Sequence, residues 1–344
     1  MPQLIEHLNL LTRKIIGVSG LVRQSKDFEE STQINAFKRS ISKMMLPFIF
    51  LLWLTFLSFS SPVFLTGTNI FNVTRQIAVI GILSIGQLLC LLTGNIDLSI
   101  GTFLGLFSAL LAGFSIKLGF LPAFILCLLI ATLWGLMNGF LVTRGEGISV
   151  IVTLSTMYIA RGITLVYTQG HPIVGYPMPY EFLGAGNLGP IPYNLILFSF
   201  ICAVAFIILR FTPLGRHLYA IGGNRQAARV CGIDTKRLII GVYVASALLA
   251  ATGAIILLGR VASAQPTAGI GMELDSIATV LIGGASVSGG YGGIPSTLIG
   301  IFMLGFINNG LNLLGISGYW QFVFKGSIIL IAVMVDTLRQ QSRG

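Results

Sequence analysis

Ionisable side chains that could carry chemistry are few in this chain, and their spacing excludes several kinds of site. A nucleotide-binding P-loop needs a Gly-Lys pair followed by Ser or Thr, yet no lysine follows a glycine. The four cysteines contain no Cys-x-x-Cys pair and the three histidines are isolated, which excludes the common spacings of metal ligands. The sequence therefore predicts no catalytic residue, no metal site and no cofactor bound by the chain itself.

The first candidate site is the run 94–101, where two glycines, an amide, a carboxylate and a hydroxyl interrupt a long apolar stretch. Polar groups at membrane depth must line a cavity or bond to protein partners. Asp97 is expected to cap a helix break, because its carboxylate accepts backbone N–H groups. Direct contact of Asn95, Asp97 and Ser99 with a transported solute is the alternative, and it stays open.

The second candidate is the run 283–293, which has six glycines in eleven residues. Such a run does not hold a stiff helix through a bilayer. It predicts two short helices that meet at a broken segment. A tight turn between two closely packed spans is the alternative.

The third candidate lies in the basic segment 210–237. Asn224 is a good N-cap and Gly232 a good C′ residue, which predicts a helix of about seven residues, roughly 10 Å long. Ala227 and Ala228 give it a smooth face, and Arg225 and Arg229 lie four residues apart on another. A short protruding helix suits docking in a partner's groove. The alternative is a helix that lies on anionic lipid headgroups through its arginines.

The elements that must hold these motifs are membrane-spanning helices. Hydrophobic residues make up 54% of the chain and charged residues 9%, against about 25% in a soluble domain. Mean hydropathy is +0.89. These values exclude a soluble enzyme, a disordered chain and a disulfide scaffold. The fold class is predicted as all-α and polytopic, with about ten transmembrane helices; eight full spans plus re-entrant pieces is the alternative. The predicted spans are 44–64, 76–93, 97–116, 120–142, 148–168, 193–210, 238–259, 275–289, 294–314 and 320–337.

The distribution of charge predicts the orientation of these spans. The net charge of +10 would suggest nucleic acid in a soluble protein, but 15 of the 21 basic residues fall in 1–43, 210–237 and the C-terminal tail. The positive-inside rule places all three segments in the cytoplasm. We therefore expect cytoplasmic tails at 1–43 and 338–344, a membrane domain at 44–337 with a cytoplasmic loop at 210–237, lipid contact and no nucleic-acid partner.

Three motifs, 94–101, 215–233 and 277–300, together resemble the permease subunits of bacterial ABC sugar importers, in order, over about residues 45–337. The resemblance implies a type II importer permease in the bacterial inner membrane. It implies ATPase subunits that hold Mg-ATP, a periplasmic solute-binding protein, and a second permease copy, either identical or a paralogue. It also implies that 224–232 is the coupling helix, with Asn224, Arg225, Ala227, Ala228, Arg229 and Gly232. The family usually has Gly where this chain has Asn95.

A sugar pathway needs amides and hydroxyls in a mostly apolar tunnel. The candidates are Gln87, Asn95, Asp97, Ser99, Asn138, Asn308 and Asn312. Interhelical hydrogen bonds are the alternative role for these side chains. Arg161 is expected to form a structural pair with an acid such as Glu273 or Asp275, or to meet the binding protein.

The predicted function is therefore import of a pentose, a hexose or a related polyol-like solute, energised by a separate ATPase. An ion-coupled secondary transporter with Asp97 as its coupling site is the alternative.

Overall fold

The computed structural model describes residues 48, 50–145, 147–177, 179 and 181–341. The chain divides into two units, 1–60 and 61–344. In the first unit, the described residues form helix α1, Phe50–Ser60. The predicted tail 1–43 lies outside the described residues, as does the end of the chain from 342 to 344.

The second unit is helical apart from one short antiparallel hairpin, in which Asn187 pairs with Pro192 and Leu188 with Ile191. Its elements, in chain order, are α2 (Gly67–Leu92), α3 (Ile100–Leu118), α4 (Phe120–Val142), α5 (Ser149–Thr168), α6 (Glu181–Ala185), β1 (Asn187–Leu188), β2 (Ile191–Pro192), α7 (Tyr193–Phe211), α8 (Pro213–Gly223), α9 (Arg225–Val230), α10 (Thr235–Val261), α11 (Met272–Ile282), α12 (Ile294–Leu313) and α13 (Gly318–Gln341).

Seven helices in the described part of the chain are long and apolar enough to cross a membrane: α2, α3, α4, α5, α7, α10 and α12. The predicted all-α, polytopic fold class is confirmed. The last predicted span, 320–337, lies within the longer helix α13. Only part of the predicted span 44–64 is described, as α1.

Helix α10 lies at the centre of the second unit, where it packs against α2, α3 and α4. Two glycines one turn apart, Gly135 and Gly139, permit the close approach of α4. A Cβ atom at Gly135 would stand 2.5 Å from the Cα of Val244, and one at Gly139 would stand 2.6 Å from the Cα of Ile240. Small residues at such crossings are typical of membrane helices, since packing rather than hydrophobicity holds these helices together.

The outer helices present apolar side chains to the surroundings. Ile125, Leu129 and Leu133 are exposed along one stripe of α4, and Val166 and Phe200 are exposed on α5 and α7. These positions recur at helical spacing, which gives a continuous apolar surface. Such a surface is suited to lipid and not to water.

Helix α11 corrects the predicted span 275–289. It has 11 residues, about 16 Å of helix, which is too short to cross a hydrocarbon core of about 30 Å. The chain reaches it through the non-helical segment 262–271, which packs against α3. There the carbonyl of Ala268 lies over Gly105, and Gly269, at φ +81°, lies against Gly101. The predicted span is therefore replaced by a segment of bends and turns followed by a short helix.

Candidate functional site

The first break in helical structure joins α2 to α3 and occupies residues 93–99. Gly94 adopts φ +71°, which turns the chain away from α2. The amide of Asn95 donates to the backbone and side-chain oxygens of Thr93 at 3.1 and 2.9 Å. Asn95 is 4% exposed, so its amide holds the turn from within the protein.

Asp97 is the centre of a buried polar network at this break. Its Oδ1 accepts the backbone N–H of Ser99 at 2.9 Å and the Ser99 hydroxyl at 2.7 Å. Its Oδ2 accepts the hydroxyl of Ser246, from α10, at 2.7 Å. The amide of Asn138, from α4, donates to the Ser99 hydroxyl at 2.9 Å. The carboxylate therefore binds a backbone N–H as a cap does, although α3 itself begins at Ile100 with Ser99 in the N-cap position.

The backbone of Ile96 is held by α10 again and by one further helix, α5. Its carbonyl accepts the hydroxyls of Tyr243 at 3.0 Å and Thr153 at 3.3 Å, and its N–H donates to the Ser149 hydroxyl at 3.4 Å. The first break is thus bonded to α4, α5 and α10. The buried hydrogen bonds on Asp97 and Ile96 favour one arrangement of the break.

The second break, residues 283–293, joins α11 to α12 and interrupts the helical structure as predicted. Only α11 is short, however, since α12 has 20 residues, so the prediction of two short helices is wrong for α12. Four glycines of the break have positive φ: Gly284, Gly289, Gly290 and Gly292. The N–H of Ser286 donates to the carbonyl of Tyr291 at 3.0 Å, which closes a compact loop. The flanking helices lie so close that a Cβ atom at Gly283 would stand 2.8 Å from the Cα of Thr297.

Helix α9 confirms the predicted capping of the coupling segment. Asn224 Oδ1 accepts the N–H of Ala227 at 2.9 Å. At the other end Gly232 has φ +83°, its N–H donates to the carbonyl of Arg229, and that of Ile233 donates to the carbonyl of Ala228. This is the Schellman motif, which satisfies the terminal carbonyls of a helix.

The faces of α9 differ from the predicted ones. Ala228 is 4% exposed and packs into the protein, so it does not share a smooth outer face with Ala227, which is exposed. Arg225 is half-buried, whereas Arg229 is exposed and donates to the Thr235 hydroxyl at 3.0 Å. Sequence analysis also missed Val230, which is 89% exposed.

The three motifs meet at one point, which we call the glycine junction: Gly94, Gly222, Gly289 and Gly290. A Cβ atom at Gly289 would stand 2.7 Å from the Gly94 nitrogen and 2.9 Å from the Gly222 Cα. The N–H of Gly290 donates to the carbonyl of Leu92 at 3.0 Å, which joins the end of α2 to the second break. Three backbones approach closely here because none of them carries a side chain.

Tyr219 of α8 adds a side-chain contact beside the glycine junction. Its hydroxyl donates to the carbonyl of Gly292 at 2.9 Å. Burial raises the pKa of this hydroxyl, and the charge of Arg210 opposes the shift. The group therefore stays protonated at neutral pH and acts as a donor.

A cleft of ≈ 290 Å³ lies between α9 and the first break. It is polar, and its lining includes Thr93, Asn95, Gly147, Asn224, Gln226 and Ser288. Because of this cleft, the first turn of α9 is separated from residues 93–95. Along the chain, α9 is connected to the rest of the site through α8 on one side and through α10 on the other.

The remaining pathway candidates lie in different surroundings. Gln87 is fully buried in α2, and neither polar atom of its amide has a hydrogen-bond partner among the described residues. Asn308 is half-buried in α12, whereas Asn312 is exposed and accepts the amide of Gln321 at 2.8 Å. The neighbouring Asn309 is buried and exchanges two amide hydrogen bonds with Asn69, at 2.8 and 3.0 Å.

Sequence analysis placed two acids at span ends that the structure buries in the bundle. Asp275 is 5% exposed and pairs with Lys325 of α13 at 2.8 Å, so it is not the partner expected for Arg161. Glu273 is also buried, beside Gly101, and its Oε1 accepts the N–H of Gly271 at 3.1 Å. Acids in the first turn complement the helix dipole of α11. The sequence signal for the start of α11 was this pair of acids, since acidic residues are typical of the first turn of a helix.

Comparison with known proteins gives consistent matches. A family model described as the permease component of a branched-chain amino acid transport system matches residues 69–333. The chain is 45% identical to the ribose import permease protein RbsC of Bacillus subtilis over 283 residues, 81% of this chain and 88% of that protein. It is 41% identical to RbsC of Escherichia coli K12, covering 81% of this chain and 89% of that protein. It is 37% identical to the D-allose transport system permease protein AlsC of Escherichia coli K12, covering 82% and 87%. No solved structure matches the chain.

Proposed function

Because the chain belongs to the family of ABC sugar importer permeases, which are multi-pass inner-membrane proteins, we propose that it imports ribose or a closely related monosaccharide. The two ribose import permeases match at higher identity than the D-allose permease, which favours ribose. A separate ATPase, which holds Mg-ATP, supplies the energy. A periplasmic binding protein delivers the sugar, and a second permease, identical or a paralogue, completes the pore.

The observation that supports coupling to an ATPase is the geometry of helix α9. It is capped at both ends, carries the exposed side chains of Ala227, Arg229 and Val230, and connects directly to α8 at the glycine junction. A rigid helix with an apolar knob and a cation suits a groove on a partner protein. In our proposal, closure of the partner ATPases on ATP displaces α9, and that displacement opens the membrane pathway alternately to each side.

The orientation follows from the charges at the two ends of the bundle. Seven basic residues of the described chain lie at the end that carries α9: Arg144, Arg210, Arg216, Arg225, Arg229, Lys236 and Arg237. The end that carries the β1–β2 hairpin has fewer, among them Arg75, Lys117 and Arg260. By the positive-inside rule, we propose that the α9 end faces the cytoplasm.

The geometry separates two groups of pathway candidates. Asp97, Ser99 and Asn138 bond to one another and to Ser246, which suits them to hold the first break in place. Gln87 keeps its full hydrogen-bonding capacity, which matches sugar hydroxyls. We therefore assign the sugar pathway to Gln87 first and to Asn308 second, since the amide oxygen of Asn308 also has no partner among the described residues. The amides of Asn95 and Asn312 are bonded to Thr93 and Gln321, which makes them weaker candidates.

The ion-coupled alternative requires Asp97 to exchange an ion during each cycle. Its carboxylate accepts three hydrogen bonds within the protein, and breaking them would leave Ser99 and Ser246 without their acceptor. The geometry therefore favours the ATPase-driven permease.

The test uses the permease purified with its accompanying ATPase and binding protein, and reconstituted in vesicles with radiolabelled ribose. We expect uptake that requires both ATP and the binding protein, and no accumulation by the permease alone. Arg225→Glu with Arg229→Glu should release the ATPase during purification and abolish uptake. Lys236→Glu with Arg237→Glu is the matched control, because it makes the same change of charge in the first turn of α10, where acids are tolerated. Accumulation by the isolated permease would overturn the proposal.

A further inference from the structure

The last turn of α8 packs directly against the hydrogen bond that joins the end of α2 to the second break. A Cβ atom at Gly222 would overlap both the carbonyl oxygen of Leu92 and the nitrogen of Gly290. These are the two atoms of the hydrogen bond between α2 and the second break. Gly222 therefore lies directly over that bond, and no larger residue fits without separating the two segments.

One turn earlier, the same helix is bonded to the other end of the second break. The Tyr219 hydroxyl reaches the carbonyl of Gly292 at 2.9 Å. Residues three apart on a helix lie on one face, so Tyr219 and Gly222 attach the same face of α8 at two points. Two attachments on one face fix the orientation of α8 as well as its position.

Helices α8 and α9 share the residue at which they meet. Asn224 is the C-cap of α8, where its N–H donates to the carbonyl of Ala220, and it is also the N-cap of α9. No spacer separates the two helices. A displacement of α9 is therefore passed to Gly222, two residues away, while the cleft leaves the first turn of α9 separated from residues 93–95.

We propose that Tyr219 and Gly222 are positioning residues that transmit the movement of α9 to the second break. In this proposal the glycine junction, which we call the joint, is where the second break moves relative to the first. This inference rests on the proposed docking of the ATPase at α9. The second break moves with α8, and the first break serves as the fixed support.

The chain offers a matched pair of variants for the test. Gly222→Ala places a methyl group against Leu92 and Gly290, whereas the Cβ of Gly223→Ala meets nothing within 4 Å. Both are changes from glycine to alanine at the end of α8. In the reconstituted complex we expect Gly222→Ala to retain the ATPase and its hydrolysis of ATP, but to reduce ribose uptake about tenfold. Gly223→Ala should import at the unmodified rate.

Tyr219→Phe removes the hydroxyl and keeps the ring. We expect the number of ATP molecules hydrolysed per ribose imported to rise about threefold, because a lost hydrogen bond loosens the joint without removing it. A structural role alone would lower the yield of folded complex and leave that ratio unchanged.

A distance measurement on the permease alone tests the glycine junction without sugar or ATPase. Spin labels on the native, exposed Cys231 and on Ser288→Cys report the separation of α9 from the second break. We expect a narrow distance distribution in the otherwise unmodified chain and in Gly223→Ala, and a broadened one in Gly222→Ala and Tyr219→Phe. Absence of ATP-dependent ribose uptake in the unmodified complex would count against the proposed function alone. Equal distance distributions in all four proteins, or equal uptake by Gly222→Ala and Gly223→Ala, would overturn the proposal that the glycine junction transmits the movement of α9.

Discussion

Both breaks in helical structure leave backbone N–H and C=O groups without partners in a helix. Different kinds of groups bond to them in each break. At the first break, side chains from three neighbouring helices bond to residues 96–99, with Asp97 at the centre. At the second break, the bonds include many between backbone atoms and glycines, together with the hydroxyls of Ser286 and Tyr219. Both satisfy backbone groups that a bilayer cannot.

The difference concerns what each break permits. Directional hydrogen bonds to a buried carboxylate are lost when the partners move, so the first break stays in one arrangement. Glycines at positive φ have access to several conformations at small cost, and surfaces without side chains slide past each other. A transporter needs both a fixed support and a moving part, and here the two lie in contact at Gly94 and Gly289.

Removing the carboxylate should have the largest effect on this comparison. Asp97→Leu leaves the N–H and hydroxyl of Ser99 and the hydroxyl of Ser246 without an acceptor, which should cost about 2–4 kcal/mol of stability. Thermal unfolding of the purified protein in detergent measures it. Asp97→Asn keeps an acceptor oxygen and should unfold much closer to the unmodified protein and retain ATP-driven uptake. Complete loss of uptake in a well-folded Asp97→Asn would favour the ion-coupled transporter.

The second break offers a comparison between strain alone and strain with overlap. Gly284→Ala and Gly289→Ala both place alanine at a positive φ, which should cost each about 1–2 kcal/mol. Only Gly289→Ala also meets Gly94 and Gly222, whereas the space around Gly284 is open. Uptake assays should therefore show a clear loss for Gly289→Ala beyond that of Gly284→Ala. Equal uptake by the two variants would mean that the close approach at the junction is not needed for transport.

The smallest effect is expected from removing one bond of the first break. Ser246→Ala deletes the donor to Asp97 Oδ2 and leaves the two bonds from Ser99 intact. The loss of stability should be about 1–2 kcal/mol, seen as a modest fall in the unfolding temperature. Transport per folded molecule should be unchanged, since the break keeps its other partners. Reduced transport with unchanged stability would instead place Ser246 in the pathway.

The three motifs could be found from the sequence alone, because each interrupts the apolar pattern with residues whose local conformational preferences are known. Asn224 and Gly232 define the two ends of α9, and the capping bonds are local. The glycines of 283–293 exclude a continuous helix by their number alone. These inferences need no knowledge of distant residues, which is why the structure agrees with them.

The sequence did not show that the motifs touch. Gly94, Gly222 and Gly289 are more than sixty residues apart from one another, and nothing local to any of them indicates the others. The start of α11 was missed for a related reason. The segment before Met272 reads as a polar loop, and only its packing against Gly101 and Gly105 brings Glu273 and Asp275 into the bundle.

The ion pair between Asp275 and Lys325 has a consequence for biogenesis. Synthesis proceeds from the N-terminus, so α11 is made before α13 and its acid first lacks the lysine that neutralises it. Insertion of the last helix supplies that charge. A chain truncated before α13 would keep an uncompensated carboxylate among its helices, which is costly at membrane depth.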